Sequence, residues 1–300
     1  MSRVLCAGHV NWDVTLHVDA LPDPDGEARI RSQSQSGGGS AANVATALAT
    51  LDIPTSVLGS VGDDEHGRAA RRKLTECGVD TDQIMVVPDR PTTVKYLIVE
   101  ATSDGQVMVF GNDGANEAIG PTDITDDILH DVDHLHLTGQ RPSTARALAE
   151  QAATIGIPIS VDPGRRLADR DYEATLSAAD IVFLNGREAD CLSIQPDISA
   201  GDAFDGATIV CKEGKDGATV YAGENTYQQE GYPVETVDTA GAGDAFAAGF
   251  LAVVLEGRTD GNIDYERALA VANACGALAT TVEGAQVEVG WRTVEQFLPD

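Results

Sequence analysis

A carboxylate inside a loop suited to holding an anion calls for a chemical reason. Residues 238–250 present one: Asp238-Thr239-Ala240-Gly241-Ala242-Gly243-Asp244-Ala245-Phe246-Ala247-Ala248-Gly249-Phe250. The Gly/Ala stretch enters an apolar, Ala/Gly-rich run that reads as a helix packed tightly on its neighbours. Its backbone N–H groups carry no shielding side chains and lie at the positive end of the helix dipole, which suits a phosphoryl group. An acid there repels phosphate. Asp244 makes sense if it accepts the proton of a hydroxyl attacking a phosphoryl group held by those amides. A GxGD standing alone would be only a Gly-rich helix start with an acid in its first turn.

It does not stand alone. Ser36-Gly37-Gly38-Gly39-Ser40-Ala41-Ala42-Asn43 also opens a helix, and Asn43 offers both a donor and an acceptor to hydroxyls. Asn11 and Asp13, two apart at the expected end of the first strand, point to one face. An amide and a carboxylate together suit a polyhydroxy compound. Other chemistries lack their residues. There is no GxxxxGK[ST], and His9-Val10-Asn11-Trp12-Asp13 follows the first strand where a dinucleotide oxidoreductase needs GxGxxG. His134 and His136 share one strand face, as a metal pair or, the reading the pattern favours, as hydrogen-bonded strand-end imidazoles. Asp162-Pro163-Gly164-Arg165-Arg166 puts an arginine either near substrate or phosphates or in a solvent-facing loop.

Strand-like and helix-like runs alternate around these residues. Strands are expected at 4–10, 56–61, 134–138, 157–161, 181–184 and 207–211. Helices are expected at 41–51, 65–77, from about 144, at 244–255 and at 265–280. Such alternation predicts a parallel sheet covered by helices, with ligands at the carboxyl ends of its strands. Residues 15–36 and 92–111 break the alternation with paired strands, the second pair joined by Thr102-Ser103-Asp104-Gly105. These predict either a small β-layer closing over the strand ends as a lid that excludes water, or ordinary surface hairpins. The expected organisation is one domain over 1–300 with lid inserts at about 14–36 and 92–112.

Forty-eight acids against 20 Lys and Arg give a net charge of −28. A chain so acidic repels nucleic acid and anionic membranes, so neither is expected as a partner. Its self-repulsion is screened only at high salt, which predicts a cytosol of very high ionic strength, as in a halophile. The five cysteines are scattered with no CxxC spacing and read as free thiols in a reducing cytoplasm. The N-terminus reads as a strand and not a signal peptide, and no run approaches a membrane span.

Together the motifs resemble the ribokinase-like (PfkB) family of carbohydrate and nucleoside kinases over nearly the whole chain. Gly38 to Asn43 matches its GGxxxN motif, and Asp238 to Gly249 matches its DTxGAGDxFxxG signature. Val61-Gly62-Asp63-Asp64 is similar to its VGxD turn, and Asn185-Gly186-Arg187-Glu188 to its NxxE element. The segment 210–217 is similar to its GxxG strand turn, and Glu283-Gly284-Ala285 with Asn273 to its adenine and cation loop. Gly186 departs from the acid often found after that Asn.

The resemblance implies an α/β fold: a three-layer α/β/α sandwich with a mainly parallel central sheet and a small β-sheet lid. It implies Asp244 as catalytic base, with the amides of Gly241, Ala242 and Gly243 as anion hole. Asp13, Gly38, Gly39 and Asn43, helped by Asn11, would hold the acceptor. Lys212, Gly214, Gly217 and Asn273 would border ATP, and Asn185 and Glu188 would organise Mg²⁺ through water. Asp238 and carbonyls near Ala240 and Ala285 would hold a monovalent cation such as K⁺, which not all similar proteins require. Lid-to-lid homodimers are common among similar proteins.

The expected activity is ATP-dependent phosphorylation of a sugar hydroxyl. A nucleoside kinase is the alternative, with Trp12, Tyr96 and Phe110 either stacking a base or packing the lid, and a non-catalytic nucleotide-binding protein is a third reading. A phosphorylated acceptor would need cations converging on the sugar side, with Arg29, Arg31, Arg90 and Lys95 on the lid and Arg165 or Arg166 as candidates. Asp13 and Asn43 suit neutral hydroxyls and Asp13 disfavours a nearby phosphate, so an uncharged sugar or nucleoside is expected over a sugar phosphate.

Overall fold

The computed structural model describes residues 2–22, 25–100, 107–192, 206–260 and 263–298. Its strands in chain order are β1 (Val4–Ala7), β2 (Asn11–Val18), β3 (Ile30–Gly38), β4 (Thr55–Gly62), β5 (Ile84–Val87), β6 (Val94–Glu100), β7 (Val107–Gly111), β8 (His134–Thr138), β9 (Ile159–Asp162), β10 (Ile181–Asn185), β11 (Thr208–Lys212), β12 (Ala218–Ala222) and β13 (Asn225–Gln229). The helices are α1 (Ser40–Thr50), α2 (Glu65–Glu76), α3 (Pro142–Ile155), α4 (Glu173–Ser177), α5 (Gly186–Cys191), α6 (Ala242–Asp260), α7 (Tyr265–Ala279) and α8 (Trp291–Val294).

Nine strands form one sheet in the order β13-β12-β11-β10-β9-β8-β1-β4-β5. The strands from β11 through to β5 pair in parallel, whereas β12 and β13 add as antiparallel strands at the other edge. The parallel strands β1, β4, β8, β9 and β10 are buried almost throughout, as a sheet covered on both faces requires. Two apolar clusters cover those faces, one built on α1, α6 and α7 and the other on α3 and its neighbours. At Gly249 an added Cβ would come 2.7 Å from Cys275 Sγ, so the small residues of α6 set how closely α7 approaches. Neighbouring strands run outward from β1 in opposite chain directions, and β1 therefore marks the crevice where such a sheet receives ligands.

The second sheet is β3-β2-β6-β7, with β2 and β6 parallel and the outer pairs antiparallel. The expected first strand is shorter than its apolar run, because the chain leaves the large sheet at Gly8. A Cβ there would lie 2.0 Å from the Thr138 carbonyl oxygen, and the close passage turns the backbone. Asn11 and Asp13 therefore begin β2 and do not end β1. The helix expected from about 144 starts at Pro142, where proline fits the first turn. The helix expected at 244–255 continues to Asp260. The Thr102–Gly105 turn lies outside the described residues.

Among the described residues no helix is long and apolar enough to cross a membrane. Acids far outnumber bases in the chain, which gives a direct expectation. The melting temperature should rise steeply as KCl goes from 0.1 M to molar levels, while the screening length falls from about 10 Å to about 3 Å. A thermal-shift series settles it, and a melting point flat across that range would remove the high-salt reading.

Candidate active site

The anion loop forms because its residues leave the backbone free. Gly241 holds φ 75°, and an added Cβ would meet the Ala285 carbonyl oxygen at 2.2 Å, so both conformation and space demand glycine. The first helical bond of α6 runs from the Ala245 amide to the Gly241 carbonyl at 2.8 Å. The amides of Gly243 and Asp244 precede that bond and have no partner within the helix. Asp238 ties this loop to the next one: its carboxylate accepts from the Ala240 amide at 2.9 Å and the Gly284 amide at 3.0 Å. Both carboxylate oxygens are thus engaged by backbone amides, while the Ala285 carbonyl oxygen lies against Gly241.

Asp244 stands half-buried in the first turn of α6, and its Oδ2 accepts a 2.7 Å hydrogen bond from Asn43 Nδ2. This one contact joins the two glycine motifs, 201 residues apart in sequence. Loss of hydration raises the Asp244 pKa to about 6; the Asn43 bond and Lys212 act the other way. That value suits a general base working near neutral pH.

The acceptor residues meet on the same side. Asp13 lies against Gly38, where an added Cβ would come 2.2 Å from Asp13 Oδ2, so glycine makes room for the carboxylate. Three buried polar atoms here lack protein partners: Asn11 Nδ2, Asp13 Oδ1 and Asn43 Oδ1. Unpaired buried polar atoms are costly, and a ligand bearing hydroxyls would satisfy all three. Burial also raises Asp13 to about 6, with Lys95, its register partner on β6, opposing the shift. Trp12, Tyr96 and Phe110 share the opposite face of the small sheet, because Trp12 alternates with Asp13 and the register pairs Tyr96 with Phe110. Trp12 instead stacks on His66 of α2, with ring centroids 6.2 Å apart.

On the far side of Gly243 lies a cavity of about 560 Å³, bounded by Lys212, Gly214, Gly217, Tyr232, Gly243 and Asn273. Asn273 donates to the carbonyls of Gln229 at 3.1 Å and Glu230 at 3.3 Å and so anchors the cavity wall. Lys215, which the motif reading left aside, also borders it.

Asn185 and Glu188 form a reciprocal helix cap on α5. Asn185 Oδ1 accepts from the Glu188 amide at 3.0 Å, and Glu188 Oε2 accepts from the Asn185 amide at 2.8 Å. Burial, then Asp162, holds the Glu188 carboxyl above its ordinary range. Both residues line a second cavity of about 680 Å³ with Arg165 and Lys212. Among the described residues no cluster of three or more His, Cys, Asp or Glu could hold a metal directly. The oxygen-only donors at Asn185 and Glu188 fit a hydrated Mg²⁺, which keeps much of its water shell.

Contacts between distant segments complete the site. Lys212 Nζ pairs with Asp162 Oδ2 at 2.5 Å. Asp64 caps α2 through the Gly67 amide at 2.8 Å and holds the Thr92 amide at 2.7 Å, at the root of β6. Asn116 donates to Asn11 and also accepts from the Val10 amide. Glu117, at φ 60°, sits in the left-handed region, a strain of roughly 1–2 kcal/mol for a residue with a Cβ. It receives Arg170 at 2.8 and 3.2 Å and His9 at 3.1 Å, and these partners outweigh its desolvation and depress its pKa to about 2. His134 and His136 are buried and share the Ser160 hydroxyl at 2.8 Å each, which makes them structural.

The chain is similar to known kinases. The description "pfkB family carbohydrate kinase" matches residues 1–291. The ATP-dependent ribose-1-phosphate kinase of Halopiger xanaduensis is 53% identical over 300 residues, covering 100% of this chain and 99% of that protein. The nucleoside kinase of Methanothermobacter thermautotrophicus is 28% identical, covering 95% and 92%. Arabidopsis thaliana ribokinase, solved with ribose and ATP, superposes with a TM-score of 0.84 at 26% identity, over 99% of this chain and 98% of that one.

Proposed function

The chain belongs to the pfkB family of carbohydrate kinases, and from that premise we propose that it transfers the γ-phosphoryl group of ATP to a hydroxyl of ribose 1-phosphate. The relatives named above are all kinases, and the Halopiger protein is described as ATP-dependent. The 53% identity to a ribose-1-phosphate kinase supports the phosphorylated acceptor.

The observation that carries the chemistry is the Asn43–Asp244 contact, which sets a base of raised pKa between the acceptor residues and the anion loop. Asp244 takes the proton of the attacking hydroxyl, and the amides at the start of α6 stabilise charge on the transferring group. Asn11, Asp13 and Asn43 orient the ring through their unpartnered atoms. The cavity bordered by Lys212, Gly214, Gly217 and Asn273 receives the nucleotide. Mg²⁺ held through water near Asn185 and Glu188 would supply charge neutralisation on the phosphates. The small sheet closes over the acceptor as a lid, hinged where Asp64 grips Thr92.

This acceptor differs from the uncharged one expected from Asp13 and Asn43. Trp12, Tyr96 and Phe110 lie on the face of the small sheet opposite Asp13, so among the described residues no Trp, Tyr or Phe of that sheet offers a platform for a base beside Asp13, which disfavours the nucleoside reading. Initial rates of ADP release in molar KCl, with ribose 1-phosphate, ribose, fructose and adenosine as acceptors, test the reading. Ribose 1-phosphate should show the highest kcat/KM. A neutral acceptor that surpassed it would replace this assignment.

A further inference from the structure

A phosphorylated acceptor needs a home for its phosphate, distinct from the anion loop that handles the transferring group. From the arrangement around Glu117 we infer that the phosphate already on the sugar binds at the arginine cluster of Arg141, Arg166 and Arg170, with His9 beside it. This rests on the ribose 1-phosphate reading above and gives that reading a physical site.

The cluster lies at the carboxyl ends of β1, β8 and β9, through the loops that carry His9, Arg141 and residues 164–170. Arg170 and Arg166 share one acid, Glu117, at 2.8 and 3.8 Å. Arg141 donates to the Glu117 backbone carbonyl at 3.0 Å and so leaves that carboxylate free of a third guanidinium. Three arginines therefore gather around one acid, in a chain of net charge −28. Such a local surplus of planar, always-charged donors is chemistry that selects phosphate.

Position agrees with charge. Helix α1 measures the distance: Asn43 touches Asp244, and Ser40 lies three residues toward the N-terminus, about 4.5 Å along the axis. A furanose whose C5 hydroxyl meets Asp244 and whose ring hydroxyls meet Asp13 and Asn43 directs its C1 substituent that way. There Gly139, at φ 62°, keeps a passage open. An added Cβ would stand 3.2 Å from both His9 Nδ1 and Ser40 Oγ. His9 Nε2 reaches Glu117 at 3.1 Å on the other side of the same ring, linking passage to cluster. Asn116, next to Glu117, holds Asn11 of the acceptor pocket. Lys95 is the competing cation, but it faces the carboxylates of both Asp13 and Asp244, so its charge is already offset.

The test compares kcat/KM for ribose 1-phosphate and for ribose in the wild-type chain, Arg166→Gln, and Arg141→Gln/Arg166→Gln, all in molar KCl. Arg166 is 57% exposed, so its replacement leaves the core untouched. The ratio favouring the phosphate ester should fall about tenfold in the single variant and about a hundredfold in the double one. The loss should appear mainly in KM, with Arg166→Lys recovering part of it. Calorimetry without ATP should show the same weakening for ribose 1-phosphate. A wild-type preference for ribose would overturn the acceptor reading itself. A wild-type preference for the ester, with an unchanged ratio in the double variant, would overturn only the cluster assignment. So would a ratio that collapses in Lys95→Gln but not in the arginine variants, since the phosphate would then sit on the lid.

Discussion

Asp244→Asn should reduce kcat by about 10²–10⁴ while leaving ATP affinity nearly unchanged. Asparagine keeps the size of the side chain and an oxygen able to accept from Asn43 Nδ2, so the link between the two glycine motifs survives. What disappears is the capacity to take a proton. The nucleotide cavity is bounded by Gly243 and residues beyond it, not by Asp244, which is why binding and turnover separate. In the wild-type chain the rate should fall as pH drops through about 6, where Asp244 becomes protonated. Single-turnover assays and calorimetry check the two halves. Retention of more than a tenth of the wild-type rate would rule out Asp244 as the base.

The same substitution should stabilise the fold at neutral pH. The folded-state pKa of Asp244 lies near 6, above the ordinary carboxylate value of about 3.9. Between those values the native state holds a proton that the unfolded chain has lost. This group's contribution is therefore most favourable in acid and diminishes as pH rises through about 6. The replacement amide carries no charge to desolvate, so thermal melts should place the variant above wild type at pH 7.5, with the gap closing toward pH 4. A base kept charged in poorly hydrated surroundings costs stability in order to work.

How much of this was legible in the sequence depends on where each constraint acts. The anion loop was legible because bare amides at a helix start require Gly and Ala in sequence, and Asp244 stands out against them. Asn11 and Asp13 were legible as a same-face pair, though the turn at Gly8 that moves them onto the small sheet depends on a contact with Thr138. The outward placement of Trp12 follows from the two-residue alternation that placed Asp13 inward. Glu117 was not legible. Its function arises from His9, Arg166 and Arg170, which reach it across 49–108 positions of chain. The expectation of a neutral acceptor set Asp13 and Asn43 against scattered candidate cations, Arg166 among them, without the fold that gathers Arg141, Arg166 and Arg170 around Glu117. Strands β12 and β13 carry no crossover helix and little alternation, so they escaped the pattern that revealed the parallel strands.

Lys212→Met should destabilise the chain by about 3–5 kcal/mol, because it breaks a mostly buried ion pair from one side. Lys212 and Asp162 are only 14% and 11% exposed, and their 2.5 Å contact spans 50 positions. The Lys212 ammonium also lies 6.0 Å from the Phe183 ring centre, a position methionine fills without charge. With the ammonium gone, Asp162 faces both Glu188 and Asp244 without the cation they shared, and it raises the free energy of ionising each of them. The acid limb of the rate profile should consequently move above pH 6, since Lys212 holds the Asp244 pKa down. Adding Asp162→Asn should recover a large part of the lost stability by removing the stranded charge, although nucleotide affinity should stay low because Lys212 borders that cavity. Chemical denaturation of the two single variants and the double variant measures the coupling. Additive losses, with no recovery in the double variant, would show that Lys212 and Asp162 are not coupled and would overturn the ion-pair account.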